Sequence, residues 1–369
     1  MPAACATLTS DTPRHVDASD RTGAFPMRSA LKFLLSCYAA LLLTAHAWAM
    51  PYSSLYVFGD SLSDAGSSAS AVSSIYKLLG GNCDPGHPCP PYVDGHFTNG
   101  RTAAEYLASA ILPGGATPAN FFSFAISGST TGVGNYGDGG TATGAGAFGL
   151  PGMAQQLGGY SLASGGVADP TALYFVWGGA NDFLTGDSAV TAAQNVAQYV
   201  AALAAMGARN ILVPNLPDLS LTPFVQLAGA VDPLIPVLAQ GFSLAFNSTL
   251  ASLLTVLDAS SPADIIPFDT FAFFNEVVTH PGAFGFSNAT DGCLLSGPAC
   301  ADPDAFVFWD DFHPTTAAHA VIAAAFARAV PEPGSLPLLA LTLATLAACR
   351  RSRVRQVRMT GQGPAACAA

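Results

Sequence analysis

Short apolar runs recur along the chain, separated by longer stretches whose apolar positions fall at helical spacing. The runs at residues 55–58, 121–126, 173–177, 210–213 and 264–268 are continuous rather than alternating, and turn residues bound them. A strand buried on one face alternates apolar and polar positions, whereas one covered on both faces, as in a parallel sheet, is apolar throughout. Between the runs, "NGRTAAEYLASAIL" sets Ala104, Leu107, Ala108 and Ile111 on one helical face, and residues 188–206 and 234–257 are long alanine- and leucine-rich segments. Residues 315–330 follow Pro314, a residue type suited to a first helical turn. Strands alternating with helices predict an α/β domain, a mainly parallel sheet of about five strands with helices on both sides. No internal repeat is present.

The two ends follow other patterns. From Met27, Arg28 and Lys32 lead into an apolar stretch at 33–45 and then "AHAWAM". A basic start, a short apolar core and small residues at Ala47 and Ala49 are what signal peptidase reads, so residues 27–49 are expected to be a signal peptide cut after Ala49. Residues 1–26 carry no matching pattern, which makes Met27 the expected start; a disordered leader is the alternative. Near the other end an apolar run at 336–349 precedes Arg350, Arg351, Arg353, Arg355 and Arg358. Its 14 residues, at about 1.5 Å each, extend roughly 21 Å against a hydrocarbon core of about 30 Å. Pro331, Glu332 and Pro333, then the apolar run, then the arginines resemble the PEP-CTERM signal of bacterial envelope and matrix proteins. The resemblance implies a sorting segment at 331–358 with a sorting protease as partner, transient anchoring with the arginines on the cytoplasmic side, and a disordered tail at 359–369. A plain C-terminal membrane helix is the rival reading and leads to nearly the same compartment.

Charge narrows the partners. Over residues 50–330 only Lys77, Arg101, Arg209 and Arg328 are basic, against 20 acids, a formal balance of −16. Such a surface repels nucleic acid and anionic lipid headgroups, so neither is an expected partner. Four cysteines remain in this part, Cys83 with Cys89 and Cys293 with Cys300, each pair close in sequence within Gly/Pro-rich loops. Export favours disulfides, and local pairing is expected. A zinc site built from Cys83, His87, Cys89 and His96 is the alternative, although its spacing fits no standard finger.

Catalytic groups of open α/β sheets sit beyond the carboxyl ends of the strands. "LYVFGDSLSDAG" places Ser61 there, where a serine hydroxyl needs a base to take its proton. "FWDDFHPTTAAH" offers one: Asp310, three residues before His313, can fold back one turn to the imidazole and leave the other ring nitrogen for Ser61. Asp311 is the competing acid, its side chain expected to diverge. Donors for an oxyanion are Gly128 in "AISGSTT", Asn181 in "GGAND" and the Ser61 N–H. Asp60, Asp64 and Asp182 are expected to hold turns, and His319, six residues past His313, to face elsewhere. The glycine-rich stretch at 128–149 lacks the ending of a phosphate loop and is expected to be a mobile surface loop beyond Thr131. Phe121, Phe122, Phe183, Phe224 and Phe312 are candidates to line an acyl groove.

"GDSLSD", "AISGSTT", "GGAND" and "DDFHP", in this order, resemble the four blocks of the GDSL or SGNH hydrolases, and "FTNGRTAAEYLA" is similar to the segment after the first block in the lipase-like branch. The likeness runs from Leu55 to about Arg328. It implies a three-layer, flavodoxin-like α/β/α fold, with Ser61 as nucleophile, His313 as base and Asp310 as its partner. It further implies an oxyanion hole from Ser61, Gly128 and Asn181, and no metal or organic cofactor. The expected activity is an exported esterase or lipase acting on small, lipid or acylated-polysaccharide esters. An acyltransferase or phospholipase would share the site, and a silent matrix or carbohydrate-binding module would have lost one of these residues.

Overall fold

The computed structural model describes residues 52–295 and 299–331, so the predicted signal peptide and most of the sorting segment lie outside the described residues. The elements in chain order are β1 (Leu55–Gly59), α1 (Ile75–Leu78), α2 (Ala103–Ile111), β2 (Phe121–Ser123), α3 (Met153–Ala163), β3 (Leu173–Trp177) and α4 (Ala180–Leu184). There follow α5 (Ala189–Met206), β4 (Asn210–Pro214), α6 (Pro223–Gly229), α7 (Leu234–Ser260), β5 (Asp264–Phe268), α8 (Thr270–Thr279), β6 (Asn288–Gly292), β7 (Phe306–Phe308) and α9 (Thr316–Ala329).

Five strands form one all-parallel sheet in the order β2-β1-β3-β4-β5, the flavodoxin-like arrangement in which the order of strand addition reverses between β1 and β3. Both faces are covered, which is why the strand sequences do not alternate. Leu55, Val57, Phe175 and Trp177 pack with Leu107 of α2 and Phe326 of α9. On the other face Phe58, Tyr174 and Val176 meet Tyr160 of α3, Val196 of α5 and Phe246 of α7. Burying each such large side chain contributes about 1.5–3 kcal/mol, so the two layers are the main hold on the sheet.

Element ends have local causes. Ser188 caps α5 by accepting from the Thr191 N–H, and Gly207 ends it in the left-handed conformation. Pro314 does not sit in the first turn of α9: Thr315 is the cap, its hydroxyl accepting from the Ala318 N–H. β2 ends at Ser123, three residues short of the predicted run, where the Gly59 N–H turns to Gln156 instead of returning a bond to it. Beyond it Phe124 and Ile126 still donate to Val57 and Gly59, but one-sidedly. α3 carries Gly158 and Gly159, which hid it from helical periodicity, and the two-stranded parallel ladder of β6 and β7 joins a polar run to a three-residue one too short to stand out. Among the described residues one helix, α7, is long and apolar enough to cross a membrane; here it lies on the sheet through Ala239, Phe246, Leu250 and Leu254.

The end of β1 is closely packed. Gly59 pairs with Trp177, and a Cβ at Gly59 would stand 2.4 Å from the Trp177 carbonyl oxygen. Gln156 of α3 holds the same residue, accepting from its N–H at 2.9 Å and donating to its carbonyl at 2.7 Å. Gly59→Ala is therefore expected to destabilise the fold by roughly 1–3 kcal/mol, the usual cost of overpacking, seen as a lower urea midpoint at unchanged slope.

Candidate active site

One residue beyond Gly59 the strand gives way to a turn, with the Ser63 and Asp64 N–H groups donating to the Asp60 carbonyl. Ser61 stands at its tip, partly exposed, at the carboxyl end of β1 beside the switch point of the sheet. The turn at 309–313 approaches from the other end of the chain. It is closed by Trp309 N–H donating to the His313 carbonyl at 2.7 Å, and by the bridge between Phe308 and Pro314. His313 Nε2 lies 2.9 Å from Ser61 Oγ and His313 Nδ1 lies 2.7 Å from Asp310 Oδ2. Asp310 Oδ1 accepts from the N–H groups of Phe312 and His313. The Asp311 side chain takes no part; its carbonyl accepts from the Phe224 N–H.

Burial works against ionising Asp310, but the charge and hydrogen bond of His313 and the two N–H donors hold its carboxyl at about 2. Burial likewise opposes the His313 cation, yet Asp310, with Asp60 and Asp311 further off, raises its pKa above the ordinary imidazole value. The pair is therefore poised with a charged acid and an imidazole whose free nitrogen faces the hydroxyl.

Gly128 and Asn181 line the same cavity as Ser61 and His313. Gly128 has φ +76°, and a Cβ there would meet Asn135 Oδ1 at 2.3 Å, so only glycine fits. Among the described residues no protein acceptor takes the N–H of Ser61 or of Gly128. Asn181, in the first turn of α4, donates one Nδ2 hydrogen to the Ser129 carbonyl at 2.9 Å, which fixes the amide and leaves its second hydrogen.

The buried carboxylates act as ties. Asp64 accepts from the N–H groups of Gly66, Ile75 and Ser127, joining the Ser61 turn to the Gly128 segment. Asp182 accepts from the N–H and hydroxyl of Thr131. Burial pushes Asp60 and Asp64 up to about 6 and Asp182 to about 7. His319 is buried between α9 and α2, accepts from the Ala103 N–H, and is pushed down to about 3 by burial.

The stretch at 128–149 is not a loose surface loop. Val133 and Gly134 pair with Ala142 and Thr141, Asp138 accepts from Phe148 and Leu150, and buried Asn135 donates to the carbonyls of Ser127 and Pro151. Its glycines let backbones meet where side chains would collide, so the segment forms a wall of the cavity. Of the candidate phenylalanines, Phe183 and Phe312 line the cavity and Phe224 stacks on Phe312 at 4.4 Å. Phe121 is buried in the core and Phe122 stacks on Tyr56, so these two are not groove residues; β2 turns both toward the layers around the sheet.

Both local disulfides are formed, Cys83–Cys89 and Cys293–Cys300, which leaves no thiolate for the alternative zinc set. His96 instead pairs with Glu105 at 3.0 Å. His87 was not singled out for this cavity, yet it lies in its wall, bonded to Asp84 at 2.8 Å and edge-on to the His313 ring at 5.8 Å. "DPGH" repeats the Asp-x-x-His spacing of "DDFH", a signal available in the sequence. Ligand atoms of His87, Asp310 and His313 lie within 4.8 Å of one another, and Asp310 and His313 are already bonded to each other at 2.7 Å.

Residues 55–326 match the family described as GDSL-like Lipase/Acylhydrolase, and the chain belongs to it. Residues 329–352 match the PEP-CTERM protein-sorting motif, which indicates an exported protein sorted to the envelope. Esterase EstA of Pseudomonas aeruginosa is 31% identical over 356 residues, covering 85% of this chain and 52% of its own length. An uncharacterized protein of Pseudomonas putida is 33% identical over 348 residues, covering 85% of this chain and 55% of its own. The chain thus spans about half the length of these two relatives. A GDSL esterase/lipase of Arabidopsis thaliana is 26% identical over 317 residues, covering 73% of this chain and 84% of its own. A solved structure from the lipolytic G-D-S-L family of Veillonella parvula aligns over 75% of this chain and 94% of its own, at 13% identity and TM-score 0.37.

Because a base works only when unprotonated, any activity that uses His313 is expected to rise with pH through an apparent pKa above about 6.5 and then level off. Asp310 stays ionised across that range. A profile of kcat/KM against pH checks this; an acid limb below the ordinary imidazole value would contradict it.

Proposed function

We propose that the domain is an exported serine esterase that cleaves carboxylic esters through an acyl intermediate on Ser61. The observation that carries the reading is the continuous chain of contacts from Asp310 through His313 to Ser61 at the switch point of the sheet. In this reading Ser61 Oγ attacks the ester carbonyl carbon while His313 Nε2 takes the hydroxyl proton, and Asp310 stabilises the resulting imidazolium. The oxyanion receives hydrogen bonds from the N–H of Ser61, the N–H of Gly128 and the free Nδ2 hydrogen of Asn181. Collapse expels the alcohol, which leaves with the proton from His313. Water then gives a proton to His313 and its oxygen to the acyl carbon, and the acid departs as Ser61 regains its proton.

The cavity, about 740 Å³, supports an apolar acyl group, with Leu62, Ile75, Leu79, Phe97, Leu150 and Phe183 among its lining residues. The acidic surface favours neutral esters over anionic phospholipid. The decisive assay is hydrolysis of p-nitrophenyl esters from acetate to palmitate by the parent and by Ser61→Ala. Turnover in the parent alone is expected, and a folded parent inactive on every chain length and unlabelled by a fluorophosphonate would sink the reading. Asn181→Ala is expected to lower kcat by about 10²–10³-fold with little change in KM, the usual loss for an oxyanion donor.

The same reading takes residues 27–49 as the export signal and the segment from Pro331 as the substrate of a sorting protease after transient anchoring. Mass spectrometry of the protein released by the producing cell is expected to find a chain that begins at Met50 and lacks the arginine cluster; a released chain retaining Arg358 would refute the processing step.

A further inference from the structure

Asp310 has one partner that none of the four sequence blocks contains. Tyr92, three residues past Cys89, is buried and donates its hydroxyl hydrogen to Asp310 Oδ2 at 2.8 Å, the same oxygen that accepts from His313 Nδ1. The other donors to this carboxylate, Phe312 and His313, belong to its own turn; Tyr92 reaches it from 218 residues away.

The surroundings of Tyr92 are built from both disulfides. Its ring packs edge-on against Trp309 at 6.2 Å, in a small apolar cluster with Cys293, Cys89, Leu294, Cys300 and Phe306. Cys89 Sγ also accepts from the Gly95 N–H, anchoring the chain on the far side of Tyr92. The start of the second disulfide segment is stitched to the strand that leads into Asp310: Cys293 N–H donates to the Phe308 carbonyl and Leu294 N–H to the Trp309 carbonyl. One cystine thus holds the side chain that grips Asp310 and the other holds the backbone that carries it.

The geometry points to Tyr92 as a positioning residue for the base: its hydroxyl pins Asp310 Oδ2 against His313 Nδ1, and the Cys83–Cys89 and Cys293–Cys300 loops keep it there. The inference rests on the esterase reading above. A buried phenol needs an acceptor, and a neutral carbonyl would serve packing equally well. Here it spends its only hydrogen on the catalytic carboxylate, and the Asp310 charge, after burial, is what raises the phenol pKa. Such a bond to a charged group is strong and directional.

The test uses the full chain with Tyr92→Phe, which keeps the ring and removes only the hydroxyl. kcat and the rate of Ser61 labelling by a fluorophosphonate are expected to fall roughly tenfold with KM unchanged, the scale of a lost hydrogen bond to a charged group. Labelling needs no ester turnover, so it reads the Tyr92 contact even where the ester reading fails. In an Asp310→Asn background the same change is expected to cost less than twofold in labelling rate, because the charge it serves is gone. The paired change Cys83→Ser with Cys89→Ser is expected to reproduce part of the Tyr92→Phe loss and to add little on top of it, which keeps the test usable should Tyr92→Phe fold poorly. A Tyr92→Phe protein within twofold of the parent, one altered only in KM, or one losing equally in both backgrounds would overturn the proposal. A parent labelled normally but inactive on every ester would overturn the substrate reading alone.

Discussion

A serine hydroxyl gives up its proton only to a base in direct contact, so the proposed chemistry depends on the 2.9 Å approach of His313 Nε2 to Ser61 Oγ, 252 positions apart in the chain. Neither residue can secure that distance alone. Ser61 is placed by the end of β1, where Gly59 lies under the Trp177 carbonyl and between the arms of the Gln156 amide. His313 is placed by a closed turn between β7 and α9, whose N–H groups also hold Asp310. Packing of α9 and β3 through Phe326, Phe175 and Trp177 holds the helix that follows His313 against the sheet whose β1 leads to Ser61.

Polar groups buried around the site serve geometry more than stability. Removing a carboxylate from water is costly, and Asp60, Asp64 and Asp182 show that cost as carboxyl pKa values pushed up by burial. What is gained is register: Asp64 ties the Ser61 turn to the segment before Gly128, and Asp182 ties the segment after it to α4, which carries Asn181. The three oxyanion candidates sit on separate segments, two turns and the start of α4, yet these two side chains and Gln156 link all of them.

The glycine-rich segment and the two disulfide loops extend the same logic to the cavity wall. Residues 83–89 and most of 128–149 have no helix or strand, and a covalent link or close backbone contact orders such chain rather than a core. His87 and Tyr92 reach His313 and Asp310 from this wall.

The sequence by itself determined what depends on neighbours close in the chain. The strands announced themselves as short continuous apolar runs, the long helices by alanine- and leucine-rich periodicity, and the cystines by short spacing in an exported context. Ser61, Asp310, His313, Gly128 and Asn181 were legible because each lies in a short block whose local geometry is part of its chemistry: a glycine before the serine, three residues from acid to imidazole. The tertiary structure alone decided what depends on contacts between distant segments. Tyr92 looks like any loop tyrosine until Asp310 arrives from 218 residues away. Gln156 is a helical polar residue until β1 ends beside it, and Phe121 a groove candidate until β2 turns it inward. The order 128–149 takes is likewise invisible locally, since glycine permits many conformations and only the neighbouring backbones select one.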